Sequence, residues 1–229
     1  MSKPIFEIAR PELPVTGVSG SFAVRRIYCV GQNYAAHTRE MGGDPERTPP
    51  FYFGKPSDAI VQDGACIPYP PRTADLHHEI ELVVAIGGAG SNLSVDKASK
   101  IIFGYAVGID LTRRDLQAQA KKAGRPWDTA KGFDNSAPVS AIRRASDVGQ
   151  VTSGRIWLSV NDEVRQDGDL GDMIWKVPEA LAELSTYFEL QPGDLLFTGT
   201  PSGVGPVCRG DRLRGGVDGV GGISVSIAP

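Results

Sequence analysis

Leu76-His77-His78-Glu79-Ile80-Glu81-Leu82-Val83-Val84-Ala85-Ile86-Gly87 is the stretch on which the reading of this chain turns. Leu82 to Ile86 is apolar and rich in β-branched residues, and Gly87 and Gly88 close it, so the segment reads as a strand. Just before the apolar run stand two carboxylates, Glu79 and Glu81. In a strand they point to the same side, about 6–7 Å apart at the backbone. Two anions that close repel each other unless solvent separates them or a proton or cation is shared. Taken alone, the pair is either a solvated strand face or two ligands of a hard divalent cation.

The remainder of the chain frames that choice. The 229 residues hold 28 Gly and 17 Pro, which favours a turn-rich β protein over a helical one. Apolar strands and helices do not alternate as βαβ units, and no composition shift marks a boundary. These observations predict one β-rich α+β domain with few short helices. A net charge of −3 gives no case for nucleic acid, and no apolar run approaches a membrane span. The N-terminal residues lack a signal-peptide apolar core, so the chain is expected in the cytoplasm. Cys29, Cys66 and Cys208 form neither a zinc pattern nor a disulfide framework and are expected to be buried thiols.

Along the chain, residues 1–23 read as an N-terminal extension and 24–229 as a single domain. Strands are expected at 25–30, 101–109, 139–142, 155–160, 195–198 and 222–227, and a strand and turn at 59–68. A short helix over 33–41, with Asn33 as N-cap and Gly42-Gly43 as its stop, precedes a loop at 44–50. Further helices are expected at 111–122 and 178–188, with a helical turn at 96–100. Residues 131–134 read as a polar turn.

Several side chains then become candidates for chemistry. Asp110 ends a buried strand and is either a helix N-cap or a third carboxylate ligand. Three carboxylates suit Mg2+ or Mn2+ and suit zinc poorly. His37 and Glu40 share a helix face, either as a surface pair or as a general base with its orienting carboxylate. Arg114 and Lys131 are either solvated or poised to hold a substrate carboxylate or an oxyanion, and Gln117 shares a face with Arg114. The Thr198–Gly205 loop lacks the lysine of a phosphate loop, and its glycines would let backbone approach a ligand.

Together these residues resemble the fumarylacetoacetate hydrolase family, in its small bacterial branch of fumarylpyruvate hydrolases and acylpyruvases. Gly31-Gln32-Asn33-Tyr34-Ala35-Ala36-His37 with Glu40 is similar to that family's G-x-N-Y-x-x-H-x-x-E signature. His78-Glu79-Ile80-Glu81, Gly108-Ile109-Asp110, Arg114-Asp115-Leu116-Gln117, Pro126 to Lys131 and Gly193 to Gly205 follow in family order. The resemblance spans about Arg25 to Leu213. It implies mixed β-sheets rolled around a core, a homodimer, and Mg2+ or Mn2+ on Glu79, Glu81 and Asp110. It further implies that His37 and Glu40 activate water with Lys131 as a catalytic partner. Arg114, Gln117, Gln32, Gly132 and Thr200 would contact substrate. Many relatives carry Arg where this chain has Gln32.

The implied activity is metal-dependent hydrolysis of a carbon–carbon bond in a 3-acylpyruvate. Fumarylpyruvate would give fumarate and pyruvate, in aromatic catabolism of the gentisate type. The alternatives are oxaloacetate decarboxylation, isomerisation or decarboxylation of a 2-hydroxy-dienoate, and a non-catalytic metal-dependent binding protein.

Overall fold

A computed structural model of the chain describes residues 5–42 and 48–229. Residues 1–4 of the expected extension, Gly43 of the expected helix stop and 44–47 of the expected loop lie outside the described residues.

The central element is the strand Ile80–Ile86, buried at every position. Its side chains alternate between two cores. Ile80, Leu82, Val84 and Ile86 enter the larger one. Val83 and Ala85 enter the smaller one on the opposite face. A strand covered on both faces reads as a near-continuous apolar run. Burial of each large aliphatic side chain there contributes about 1.5–3 kcal/mol.

On one side Ile80–Ile86 pairs antiparallel with Ile102–Ile109, and on the other with Asp194–Phe197. Asp194–Phe197 lies parallel to Arg26–Gly31, whose far edge takes Phe51–Lys55 antiparallel. Beyond Ile102–Ile109 follow Ala137–Val139 and then, in parallel, Ile60–Gln62. This mixed sheet faces a five-stranded one ordered Glu163–Asp169, Arg155–Val160, Arg212–Val217, Gly221–Ile227 and Cys66–Ile67. Ile156, Leu158, Leu213 and Ile223 from the second sheet meet Ile80 and Leu82 in the larger core. The helix Val177–Tyr187 buries Val177, Ala180, Leu181 and Leu184 in the same core. Glu12–Pro14 and Ser21–Ala23 form a hairpin whose Leu13 and Phe22 seal the smaller core. The architecture is the expected α+β fold of mixed sheets with few short helices.

Several local expectations give way. The described residues form six α-helices, not about three, because Asp128–Lys131 and Ala145–Val148 are too short to show a helical period. The first helix is Ala35–Glu40, and Asn33 does not cap it. Its amide instead donates to Trp175 O (3.0 Å) and Thr198 O (2.8 Å), and accepts from Trp175 N–H (2.7 Å). The third helix begins at Arg114 rather than Leu111. Leu111 N–H is taken by Ser136 O, and Thr112–Arg113 pair with Leu76–His78, so that backbone is already committed. Only Cys29 is a buried thiol. Cys66 and Cys208 are exposed, Cys66 because the pleat turns Ile67 inward and its neighbour outward.

The Asn33 contacts join three chain segments through buried polar groups. Asn33→Ala should lower stability by about 1–3 kcal/mol for each backbone group left unpaired inside, read as a shift of the urea unfolding midpoint. A midpoint within error of the parent would contradict this tie.

Candidate active site

The register of two strands assembles the acidic cluster. Ile80 lies opposite Ile109 and Glu81 opposite Gly108. Glu79 is therefore across from Asp110, and Asp110 N–H donates to Glu79 O at 2.8 Å. Residues directly opposite in an antiparallel pair point to one face, so Glu79, Glu81 and Asp110 converge. One carboxylate oxygen from each lies within 4.8 Å of the others, and all three residues are buried. Gly108 leaves space opposite Glu81, where a Cβ would come within 2.5 Å of Val83.

The expected single strand is broken at Glu79. Leu76–His78 belongs to a separate three-stranded sheet with Thr112–Arg113 and Gly205–Val207. The chain changes sheets at the first carboxylate. Gln166, fully buried, fastens this junction. Its Oε1 accepts from Ile80 N–H (3.0 Å) and lies 2.9 Å from His78 Nδ1. Its Nε2 donates to Thr200 Oγ1 (2.7 Å) and Pro201 O (2.9 Å). Burial lowers the His78 pKa, and a neutral ring with its proton on Nδ1 satisfies the Gln166 oxygen.

Three cations meet the cluster. Lys131 Nζ donates to Glu79 Oε2 (2.8 Å) and Asp110 Oδ2 (2.7 Å). Lys55 Nζ lies 2.8 Å from Asp110 Oδ1 and donates to the carbonyls of Leu111 and Lys131. Arg114 donates through Nη2 to Glu79, through Nη1 to Gln117 Oε1 (2.6 Å) and through Nε to His77 Nδ1 (3.4 Å). Burial alone would raise the Glu79 carboxyl, but Lys131, Arg114 and His37 outweigh it and hold the group well below the carboxylate range. Glu81 goes the other way. Burial pushes it up, the charges of Asp110 and Glu79 push it further, and Lys131 and the Gly199 N–H (2.7 Å) do not compensate. Burial depresses Lys131, yet Asp110 and Glu79 raise it on balance and keep it an ammonium.

This donor set fits a divalent cation. Glu81 is a buried carboxylate short of positive charge. Asp110 Oδ1 accepts no hydrogen bond, although Lys55 is adjacent. Oxygen-only ligands suit Mg2+ or Mn2+.

The triad lines the floor of a cleft. His37, Gln32, Arg114, Gln117, Lys131, Gly199 and Thr200 also line it, with Phe51, Phe53, Trp127, Met41 and Lys121. His37 Nδ1 lies 3.2 Å from Glu40 Oε2, and Gly203 N–H donates to both Glu40 oxygens (3.1 and 3.2 Å). Gly199 (φ +93°) and Gly203 (φ +92°) adopt a conformation that L side chains rarely take. A Cβ on either would strike Asn33 or the Arg165 carbonyl. The expected close approach of glycine backbone is thus toward the protein's own carboxylates. Gln32 also has a left-handed backbone, with φ 55°.

Glu40, in contact with His37, does not itself line the cleft, and neither does Gly132. The Gly132 N–H closes the short helix on Asp128 O (2.7 Å), and a Cβ there would press on Pro56 and Asp128. Lys131 is not in a polar turn but ends that helix, buried. Lys55, Gln166 and Lys121 escaped the sequence reading. For Lys55 a signal was present: Phe51, Phe53 and Lys55 alternate on one strand face, which groups a lysine with two aromatics.

A buried carboxyl held above its unfolded value stabilises the fold fully below that unfolded value. The contribution is lost as pH rises through the folded one. Metal-free protein should therefore lose Tm as pH rises above the ordinary carboxylate range, and Glu81→Gln should flatten that slope. Glu79, held low, acts oppositely and loses its contribution as pH falls. Mn2+ at 100 times its Kd should restore about 2.7 kcal/mol to the parent. Calorimetry across pH, with and without Mn2+, reads all three. A slope unchanged in Glu81→Gln would refute the assignment.

The match to the family described as fumarylacetoacetate (FAA) hydrolase C-terminal covers residues 26–228. A fumarylpyruvate hydrolase from Ralstonia sp is 48% identical over 179 residues, 78% of this chain and 93% of the relative. An oxaloacetate tautomerase from Escherichia coli is 42% identical over 200 residues, 86% of this chain and 90% of the relative. The crystal structure of fumarylpyruvate hydrolase from Pseudomonas aeruginosa, in complex with Mn2+ and pyruvate, superposes with a TM-score of 0.97. It is 48% identical, with 99% of each chain covered. This chain belongs to the fumarylacetoacetate hydrolase family.

Proposed function

We propose that the protein hydrolyses the carbon–carbon bond of a 3-acylpyruvate, with fumarylpyruvate cleaved to fumarate and pyruvate. The observation that carries this reading is His37, which lines the same cleft as the carboxylate triad and has the Glu40 carboxylate at its Nδ1. Water needs a base to become a nucleophile, and an imidazole oriented by a carboxylate is suited to that task. The fumarylpyruvate hydrolase relatives support the substrate class.

Mg2+ or Mn2+ held by Glu79, Glu81 and Asp110 would supply Lewis-acid polarisation of the substrate's oxygens. The remaining work falls to side chains. Glu40 holds Nδ1–H of His37 and leaves Nε2 to take a proton from water. Hydroxide adds to the acyl carbonyl carbon, and the bond from that carbon to the methylene group breaks. The electron pair goes to the methylene carbon, conjugated with the 2-oxo group. Protonation there gives pyruvate, and the acyl fragment leaves as a carboxylate. Lys131 and Gln117 stabilise negative charge as it develops on oxygen, and Arg114 orients the 2-oxo acid end. Gln32 and Thr200 bound the space left for the acyl chain. A homodimer accompanies this reading, to be measured by light scattering as twice the chain mass. Among the described residues no helix is long and apolar enough to cross a membrane.

The oxaloacetate tautomerase relative favours a second reading, in which the cleft moves a proton between carbon and oxygen without adding water. Purified protein should be given fumarylpyruvate, acetylpyruvate and oxaloacetate in parallel. The expected result is loss of diketone enol absorbance with fumarate and pyruvate formed, abolished by EDTA and restored by Mg2+ or Mn2+. Faster keto–enol exchange of oxaloacetate with both acylpyruvates left intact would overturn the hydrolase reading. His37→Ala should retain Mn2+ and lose about 10²–10⁴-fold in kcat.

A further inference from the structure

The cations lining the cleft are not equivalent. Arg114 is engaged by Glu79, Gln117 and His77, and Lys131 by Glu79 and Asp110. Lys121 lines the same cleft, and among the described residues its ammonium has no hydrogen-bond or ion-pair partner. It follows Arg114 and Gln117 on the helix Arg114–Lys122 at the i, i+3, i+7 positions, so the three share one face. Seven residues of helix separate Arg114 from Lys121 by about 10 Å along the axis.

We propose that Lys121 is the specificity-determining residue for the far end of the substrate. It binds a carboxylate that terminates the acyl chain, and the cleft thereby selects 3-acylpyruvates that are dicarboxylic acids. The proposal rests on the reading above, in which the 2-oxo acid end sits by the triad and Arg114. Dimensions agree with it. The seven-carbon chain of fumarylpyruvate, with C–C bonds of about 1.5 Å in a zigzag, spans roughly 7–8 Å between its terminal carbons. A hydrogen bond adds about 3 Å. Charge agrees as well. The acidic floor repels a second carboxylate, which leaves Lys121 as the uncommitted positive group along the wall. Phe51 and Trp127, ring centroids 5.3 Å apart, line the same cleft and offer apolar surface to the unsaturated hydrocarbon.

A solely structural role is the competing account. Lys121 stands in the last turn of its helix, where a cation complements the helix dipole. Loss of that role would affect all substrates alike. The test therefore reads a ratio. Parent, Lys121→Met and Lys121→Arg are compared on fumarylpyruvate and on its analogue with a methyl group in place of the far carboxylate. In Lys121→Met the diacid-to-monoacid ratio of kcat/KM should fall about 10–100-fold, mainly through KM, and Lys121→Arg should recover most of it. A ratio unchanged in Lys121→Met overturns the proposal. Calorimetric titration of both compounds into Mn2+-loaded protein gives the same ratio as affinities, with no need for turnover. A Lys121-dependent preference for the diacid without cleavage would uphold the assignment while the hydrolase reading fails. Cleavage with no diacid preference in the parent would do the reverse.

Discussion

Three carboxylates on one face of one antiparallel strand pair are the constraint around which this structure is arranged. Unit charges 4 Å apart interact by about 4 kcal/mol at an effective dielectric constant of 20. The cluster would not stay buried and ionised unassisted. Lys131, Lys55 and Arg114 match three negative charges with three positive ones, but the matching is uneven. Glu79 receives Lys131 and Arg114, and Asp110 receives Lys131 and Lys55. Glu81 receives the Gly199 N–H. The deficit at Glu81 is what makes the cluster a cation site and not a closed salt-bridge network. A closed network would hold all three carboxyls down, whereas here one is driven up while another is held low.

The fold supports this arrangement from behind. Because the chain changes sheets at Glu79, that carboxylate stands where backbone pairing switches partners. Gln166 reaches in from the outermost strand of the second sheet to join the junction to Thr200 and Pro201. Buried polar networks of this kind are costly when half satisfied and orienting when complete. Gln166 is complete, with both ends of its amide engaged. Thr200, which lines the cleft, is thereby fixed to the strand that carries Glu81.

The carboxylates were legible in the sequence because alternation along a strand is simple. Glu79 and Glu81 share a side in any extended segment, and Asp110 ends the apolar run that pairs with them. The helices at 114–122 and 177–187 were legible to within a few residues at each end. What was not legible has physical reasons. Glu163–Asp169 is a strand with one buried side chain, Gln166, so it carries no apolar period. Asn33 precedes a helix and looks like its cap, but the tertiary partners Trp175 and Thr198 lie about 140 residues or more away in sequence. Lys131 sits in a glycine-containing stretch that reads as solvated. Only the acids facing it explain its burial.

The loop Thr198–Gly205 ties the two ends of the proposed chemistry together. Gly199 N–H holds Glu81 of the triad, and Gly203 N–H holds Glu40, which orients His37. One short loop thereby sets where the base stands relative to the carboxylate floor. Family members named as hydrolases and as tautomerases both require charge to be stabilised next to a 2-oxo acid. Hydrolysis alone also requires a water held at fixed distance from a base. A Glu40 released from the Gly203 amide would leave the acidic floor intact and the imidazole unaimed, and such a cleft could still move protons on a bound 2-oxo acid without adding water to it.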